Sequence, residues 1–230
     1  LCASAKRPMI PGMARVLITG ANRGIGLELT RQLSERGDTV IALCRESTPE
    51  LDALASEVVT GIDVTEDSGA KKAARELGDS RVDILINNAG IFSNETLHDL
   101  DFDEIRRNFE VNALGPLRMT HALQGHLADG AKVIFITSRM GSIEDNGSGA
   151  YYGYRMAKAA LNMAGVNLAH DLRGKASVAI LHPGLVATRM TGFSGVSTEE
   201  SAAGLIERID ALGPEGSGGF WHANGDRLPW

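Results

Sequence analysis

Tyr154 and Lys158 stand four residues apart in the stretch Tyr154-Arg155-Met156-Ala157-Lys158. On a helix that spacing puts both side chains on one face, a turn removed, so a phenol and an ammonium share the same space. A phenol ordinarily ionises near pH ~10, and an adjacent positive charge lowers that value. The pair is therefore expected to give or take a proton near neutrality. The same spacing is common on solvated helices, so its meaning depends on what surrounds it.

The surrounding elements alternate between strand and helix. Val16-Leu17-Ile18 is a short apolar run ending in Thr19-Gly20, which predicts a buried parallel strand. A helix is expected from about Gly24, with Ile25, Leu29 and Leu33 on one face and Gly37 as its stop. Further strands are expected at Thr39 to Cys44, Glu57 to Ile62, Asp83 to Ile86, Lys132 to Thr137, Val178 to Leu181 and Gly219 to Trp221. Helices are expected over Glu66 to Leu77, Asp101 to Leu127 and Ala150 to Leu172, with a last one opened by a capping-box spacing at Ser197-Thr198-Glu199-Glu200. This order predicts an α/β fold, a single-domain doubly wound (Rossmann-type) mostly parallel sheet with helices on both faces. Ligands bind such a sheet at the C-terminal ends of its strands. Residues 1–12 lack patterning and are expected to be a flexible leader ahead of one domain at 13–230.

Between the first strand and first helix lies Thr19-Gly20-Ala21-Asn22-Arg23-Gly24-Ile25-Gly26. Glycines there let the backbone approach a pyrophosphate, and the N–H groups at the helix start attract it. The spacing is Gly-x3-Gly-x-Gly rather than the general Gly-x-Gly-x-x-Gly. A carboxylate about 20 residues further on usually meets an unphosphorylated ribose, but here the second strand ends in Cys44-Arg45. Arg45 and Arg23 can pair with a 2′-phosphate, which predicts NADP(H) in preference to NAD(H). Glu46, if turned inward, would serve an unphosphorylated ribose instead.

Composition narrows the class. The 230 residues suffice for a full core, the formal net charge of −6 argues against nucleic acid, and 27 glycines fit many tight turns. Only Cys2 and Cys44 are present, which favours a reducing, cytoplasmic setting. The sequence has no apolar run near ~18 residues, so no membrane span is expected. The six histidines lack metal-ligand spacing, and no metal is expected. His182, just before Pro183-Gly184, is expected to pack at a strand end, the alternative being that it faces the pocket.

The glycine turn, Asn87-Asn88-Ala89-Gly90, Ser138, Tyr154-x3-Lys158 and Pro183-Gly184, in this order, closely resemble the short-chain dehydrogenase/reductase family from about Ala14 to Trp230. Thr137 to Gly141, Leu181 to Gly184 and the ending Arg227-Leu228-Pro229-Trp230 resemble its C-factor-like and carbonyl-reductase branch. The resemblance implies a proton passed between Tyr154 and a carbonyl or alcohol oxygen as hydride moves to or from the nicotinamide. Lys158 then supports the tyrosinate and binds ribose, and Ser138 hydrogen-bonds the substrate oxygen where charge grows. By the same resemblance the cofactor contacts are Gly20, Asn22, Arg23, Gly24, Ile25, Gly26 and Arg45. Asp63 and Val64 fall at the adenine, Asn88, Ala89 and Gly90 along the adenosine, and Pro183, Gly184, Val186 and Thr188 around the nicotinamide and pyrophosphate. Asn112 falls at the family's fourth catalytic position, whose carbonyl holds a water leading to Lys158. Pro116 has no N–H to close an α turn on that carbonyl, so it is expected to stay free, the alternative being that Pro116 merely kinks the helix.

Tyr151 stands seven residues before Lys158, a spacing resembling enoyl reductases, but the intact glycine turn argues against that branch; Tyr152 is expected to pack or to face substrate. Extra residues between Ser138 and Tyr154 are expected to form a loop over Glu144 to Gly149 at the pocket mouth. The lid, around 185–197, is short, polar and expected to be mobile, leaving a permissive pocket for aldehydes or ketones with Met190 and Phe193 as apolar contacts. Ala157, Ala160, Ala164 and Gly165 could pack a second helix or simply the core; the family's habit favours a homodimer or homotetramer. The alternative function is a dinucleotide-binding signalling protein with vestigial reductase activity, which would have no need of Ser138.

Overall fold

The computed structural model describes residues 13–230, so the expected leader at 1–12 lies outside the described residues. Seven strands are formed: β1 (Arg15–Thr19), β2 (Thr39–Leu43), β3 (Glu57–Val59), β4 (Val82–Asn87), β5 (Leu127–Ile136), β6 (Ala176–His182) and β7 (Gly219–His222). The principal helices are α1 (Gly24–Glu35), α2 (Pro49–Leu54), α3 (Asp67–Leu77), α4 (Phe102–Phe109), α5 (Gly115–Leu123), α6 (Tyr152–Asp171) and α7 (Thr198–Ala211). The strands make one sheet in the order β3-β2-β1-β4-β5-β6-β7, with every pairing parallel. The strand order reverses between β1 and β4, and a crevice at the strands' C-terminal ends is expected there.

Alternation along the strands explains the layers. Leu17, Ile41, Leu43, Leu85, Val133 and Phe135 join Ala70, Met119 and Leu161 from α3, α5 and α6 on one face. Their sequence neighbours Val16, Ile18, Val40, Ala42, Ile84, Ile86 and Ile134 join Leu29, Leu33, Leu51, Leu205 and Ile209 from α1, α2 and α7 on the other. Fully burying one such side chain contributes ~1.5–3 kcal/mol against ~1 kcal/mol for a helix cap, so the strand pattern fixes the layers. Lys132 reaches the same face with its ammonium satisfied: Nζ donates to the carbonyls of Ile209 (2.6 Å) and Asp210 (3.0 Å) at the end of α7.

Several boundaries differ from the sequence reading. α2 was not expected; Thr48 Oγ1 caps Leu51 N–H at 3.2 Å and Pro49 opens the helix, but only Leu51 is buried, leaving no periodicity to see. β3 ends at Val59 rather than Ile62, because Gly61 turns the chain at φ +67°. The long stretch from Asp101 is α4, a π-helical turn at Glu110–Leu114, α5 and a short 3-10 turn at Gln124–His126. Pro116 cannot donate to the ladder, and Gly115 N–H instead reaches back five residues to Glu110 O. β5 starts at Leu127, which pairs with Val82 before a register shift brings Lys132 beside Ile84.

Candidate active site

Thr19, the last residue of β1, organises the switch point. Its Oγ1 accepts the N–H groups of Asn88 (3.0 Å) and Ala89 (3.1 Å) beyond β4. Asn88 Nδ2 donates back to the carbonyls of Thr19 (3.0 Å) and Gly20 (3.1 Å), so this amide is spent on the turn. A Cβ on Gly26 would lie 2.3 Å from Gly20 O, and one on Gly20, at φ +66°, would lie 2.9 Å from Ala89 Cα. Both glycines are thus required by close packing as well as by any ligand. Gly24 faces Thr188, whose Cγ2 would be 3.4 Å from an added Cβ. Arg23 precedes α1 without a side-chain cap bond, which leaves the helix start suited to an anion. Ile25 packs against the core, so only its backbone faces the turn.

The loops after β2 and β3 are polar. Asn22 Nδ2 donates to Glu46 O at 2.9 Å, drawing the glycine turn to the end of β2. Arg23, Arg45 and Glu46 are exposed, and neither arginine is in an ion pair among the described residues. Asp63 Oδ1 accepts the N–H (2.9 Å) and Oγ1 (2.7 Å) of Thr65. The Thr65 N–H is the main reason its carboxyl lies below the usual range, with the charge of Arg45 adding to the effect. Val64 packs on the position of Gly115, where a Cβ would meet Val64 Cγ2 at 3.0 Å.

Tyr154 and Lys158 are 7% and 4% exposed in the first two turns of α6. Lys158 Nζ donates to Ile136 O, the end of β5, at 2.9 Å. Gly90 lies against it, an added Cβ being 3.9 Å from Lys158 Nζ and 3.0 Å from Asn112 Oδ1. Ser138 Oγ accepts Met140 N–H at 3.1 Å, so the serine does cap a turn as well as meet the phenol. The expected acidified phenol is not what the residues alone produce. Burial pushes the Tyr154 phenol up, opposed in part by the neighbouring Ser138 side chain. Burial likewise lowers Lys158 to about 7. The ammonium lies 5.8 Å from the Tyr154 ring centroid, and burial penalises the charged form of each group.

The side chain of Asn112 is fully engaged: Nδ2 donates to Ile91 O (3.0 Å) and Asn108 Oδ1 (2.9 Å), and Oδ1 accepts Ile91 N–H (3.0 Å). It sits in the π-helical turn, which clamps the loop after Gly90. Pro183 O accepts Ser201 Oγ (2.8 Å), and Gly184, at φ +90°, faces the His222 ring. Val186 is buried, its carbonyl accepting Thr191 Oγ1 at 2.5 Å. The lid base is tied by Val196 N–H to Leu185 O (2.9 Å) and Ala187 N–H to Val196 O (2.8 Å). Residues 144–149 form a loop held by Arg155, which donates to Gly149 O (3.1 Å) and Ser148 Oγ (2.8 Å). At its other end Glu144 N–H bonds Trp230 O at 2.8 Å, and Arg139 pairs with Asp145.

Sequence reasoning passed over Thr19 as a side chain, Phe92 and Asn162. Phe92 packs edge-on to Tyr154 at 4.9 Å, and Asn162 joins Thr137 Oγ1 (2.7 Å) to Gly141 O (3.4 Å) beneath Lys158. Asn162 lies four residues after Lys158 on the same helix face, a spacing that could have revealed it. His182 meets His222 edge-on at 4.9 Å, and burial first, then the neighbouring His222, lowers its pKa to about 3. Gly165 packs on Ile180 in the sheet and Ala157 is fully buried, so these two serve the core, while Ala160 and Ala164 are only partly buried. No group of three or more metal-binding side chains occurs among the described residues, and no described helix is long and apolar enough to cross a membrane.

A sequence profile described as short chain dehydrogenase matches residues 14–197. The 1-hydroxy-2-glutathionyl-2-methyl-3-butene dehydrogenase of Rhodococcus sp. (strain AD45) is 44% identical over 226 residues, covering 95% of this chain and 100% of the relative. C-signal of Myxococcus xanthus is 46% identical over 154 residues, 65% of this chain and 93% of that protein. The NADPH-bound carbonyl reductase from chicken fatty liver superposes with a TM-score of 0.87 at 30% identity, over 95% of this chain and 99% of that one. The parallel sheet, the glycine turn at its switch point and these matches agree: the chain belongs to the short-chain dehydrogenase family, oxidoreductases that bind a nicotinamide dinucleotide and act on small molecules.

Proposed function

We propose that this chain interconverts a carbonyl and an alcohol with NADP(H), Tyr154 acting as general acid in reduction and as general base in oxidation. The supporting observation is the meeting of a buried phenol, the Ser138 hydroxyl and the Lys158 ammonium at the end of β5, next to Gly90. The residues fit a dinucleotide: the start of α1 lacks a side-chain cap, and an added Cβ on Gly24 would fill the space toward Thr188. Gly20, Asn22, Arg23, Gly24, Ile25 and Gly26 would hold the phosphates, Asp63 and Val64 the adenine, and Asn88, Ala89 and Gly90 the adenosine. Pro183, Gly184, Val186 and Thr188 would hold the nicotinamide end. When bound, the nicotinamide supplies or takes up the hydride.

Tyr154 passes its phenolic proton to the carbonyl oxygen, and Ser138 donates a hydrogen bond to that oxygen as charge grows on it. Lys158 supports the tyrosinate and binds ribose hydroxyls, while the carbonyl of Asn112 holds a water on the route to Lys158. Arg23 and Arg45 favour NADP(H) over NAD(H) by pairing with a 2′-phosphate. Met190 and Phe193, exposed on the lid at 185–197, offer apolar contacts to aldehydes or ketones in a permissive pocket. Met156 and Met163, exposed on α6, suit that helix to pairing in a homodimer or homotetramer, and a cytoplasmic setting fits the buried free thiol of Cys44.

A second reading concerns direction. The full-length match to a dehydrogenase of a glutathionyl alcohol, at 44% identity, favours oxidation of a thioether-bearing alcohol. The signalling or regulatory alternative is weakened by the burial of Ser138, Tyr154 and Lys158 together, which nucleotide binding alone does not call for. A panel of carbonyls and alcohols, including thioether alcohols, assayed with both cofactors and with Tyr154→Phe as control, separates these readings. Absence of Tyr154-dependent turnover in either direction contradicts the proposal.

A further inference from the structure

Glu95 lies in the loop between β4 and α4, outside every motif used above. It is 6% exposed, and both its polar ends turn to the start of α6. Its backbone carbonyl accepts Tyr151 N–H at 2.7 Å, and Oε2 accepts Gly153 N–H at 3.3 Å. The helix needs such help. Its N-cap residue, Tyr151, makes no side-chain cap bond and the first turn carries no acidic residue. Ala150 and Tyr151 both have φ of +54°, a left-handed entry that is unfavourable for residues with a Cβ and persists only where the surroundings impose it.

The neighbourhood is built around this contact. A Cβ on Gly153 would lie 2.7 Å from Glu95 Oε1 and 3.1 Å from both Ile105 Cα and Ser93 Oγ, so glycine lets the carboxylate approach. Oε1 is buried and without a hydrogen-bond partner among the described residues. Ser93 Oγ accepts Asn108 Nδ2 at 2.8 Å, and Asn108 Oδ1 accepts Asn112 Nδ2 at 2.9 Å. Phe92, in the same loop, packs on Tyr151 at 5.6 Å and on Tyr154 at 4.9 Å.

We infer that Glu95 is a positioning residue for Tyr154: it caps α6 from outside the helix and fixes the strained Ala150-Tyr151 entry, so that the phenol keeps its place beside Ser138. The inference rests on the reading of Tyr154 as the proton donor. Misplacement by ~1 Å can cost ~10²-fold in rate, so the effect should appear in kcat.

The test compares wild type with Glu95→Ala, Glu95→Asp, Glu95→Gln and Tyr154→Phe, using steady-state kinetics and amide hydrogen exchange of the protein without nucleotide. Glu95→Ala should lower kcat by ~10-fold or more with little change in nucleotide affinity, and should speed exchange at Tyr151 and Gly153 by ~10-fold. Glu95→Gln keeps an acceptor for Gly153 and should recover most of kcat. Glu95→Asp withdraws the carboxylate while keeping its charge and should behave like Glu95→Ala, carrying the test if the alanine variant does not fold. Wild-type kcat and exchange in these variants overturns the inference, as does equal loss in Glu95→Gln. Turnover indifferent to Tyr154→Phe overturns the underlying reading instead.

Discussion

Lys158 Nζ bonds the carbonyl of Ile136 at 2.9 Å, while its distance to the centroid of the Tyr154 ring is 5.8 Å. The ammonium is therefore anchored to the end of β5 and lies alongside the phenol within one desolvated space. Burial lowers Lys158 to about 7 and raises Tyr154, so neither group alone is tuned as the spacing of four suggested.

Lys158 should leave a signature in stability. Between about pH 7 and its ordinary 10.5, the unfolded chain holds a proton on this amine that the folded chain has released. Stability of the nucleotide-free protein should therefore rise with pH across that window. Urea unfolding of wild type and Lys158→Met over this range should show the rise only in wild type; parallel profiles would refute the buried amine.

His182 works in the acid range. Its pKa is lowered to about 3, first by burial and then by His222, so below the ordinary 6.5 the unfolded chain takes up a proton that the folded chain refuses. Stability should fall as pH drops from 6.5 toward 3, at up to ~1.4 kcal/mol per pH unit. His182→Gln should flatten that fall in thermal melts, and an unchanged slope would count against it.

The arginines make cofactor choice testable. Charge-assisted hydrogen bonds are worth ~1.5–3 kcal/mol, so Arg45→Ala and Arg23→Ala should each weaken NADPH binding by ~10- to 100-fold. NADH binding should change little. Fluorescence titration with both nucleotides measures this; equal losses would remove the 2′-phosphate from the account.

Gly26 is a packing position as much as a binding one. A Cβ 2.3 Å from Gly20 O cannot be accommodated without moving backbone. Gly26→Ala should destabilise the protein by ~1–3 kcal/mol and abolish nucleotide binding. A variant with wild-type melting and affinity would show that the turn yields.

Much of the fold could be read from the chain because strands buried on both faces, such as Val16-Leu17-Ile18, are short apolar runs set between glycines. What stayed hidden was local. α2 buries a single leucine, so no stripe marks it. The π-helical turn at Glu110 follows from Pro116, yet the sequence says only that the ladder fails there, not that Gly115 reaches back to Glu110. For the site, the spacing located Tyr154 and Lys158 on one face but not their shared desolvation, which depends on the whole sheet end. Phe92 and Glu95 meet α6 from a loop with no periodicity, so nothing near them in sequence marks their partners. The side-chain amide of Asn88 also ties the turn to Thr19 and Gly20, a structural role that nothing near it in sequence marks.

The most direct measurement is single-turnover carbonyl reduction by NADPH, comparing wild type with Tyr154→Phe at equal nucleotide saturation. The account predicts a loss of at least ~100-fold in the chemical step, the lower end of what a general acid provides, with NADPH affinity within a few-fold of wild type. A variant that reduces the substrate at close to the wild-type rate would contradict it.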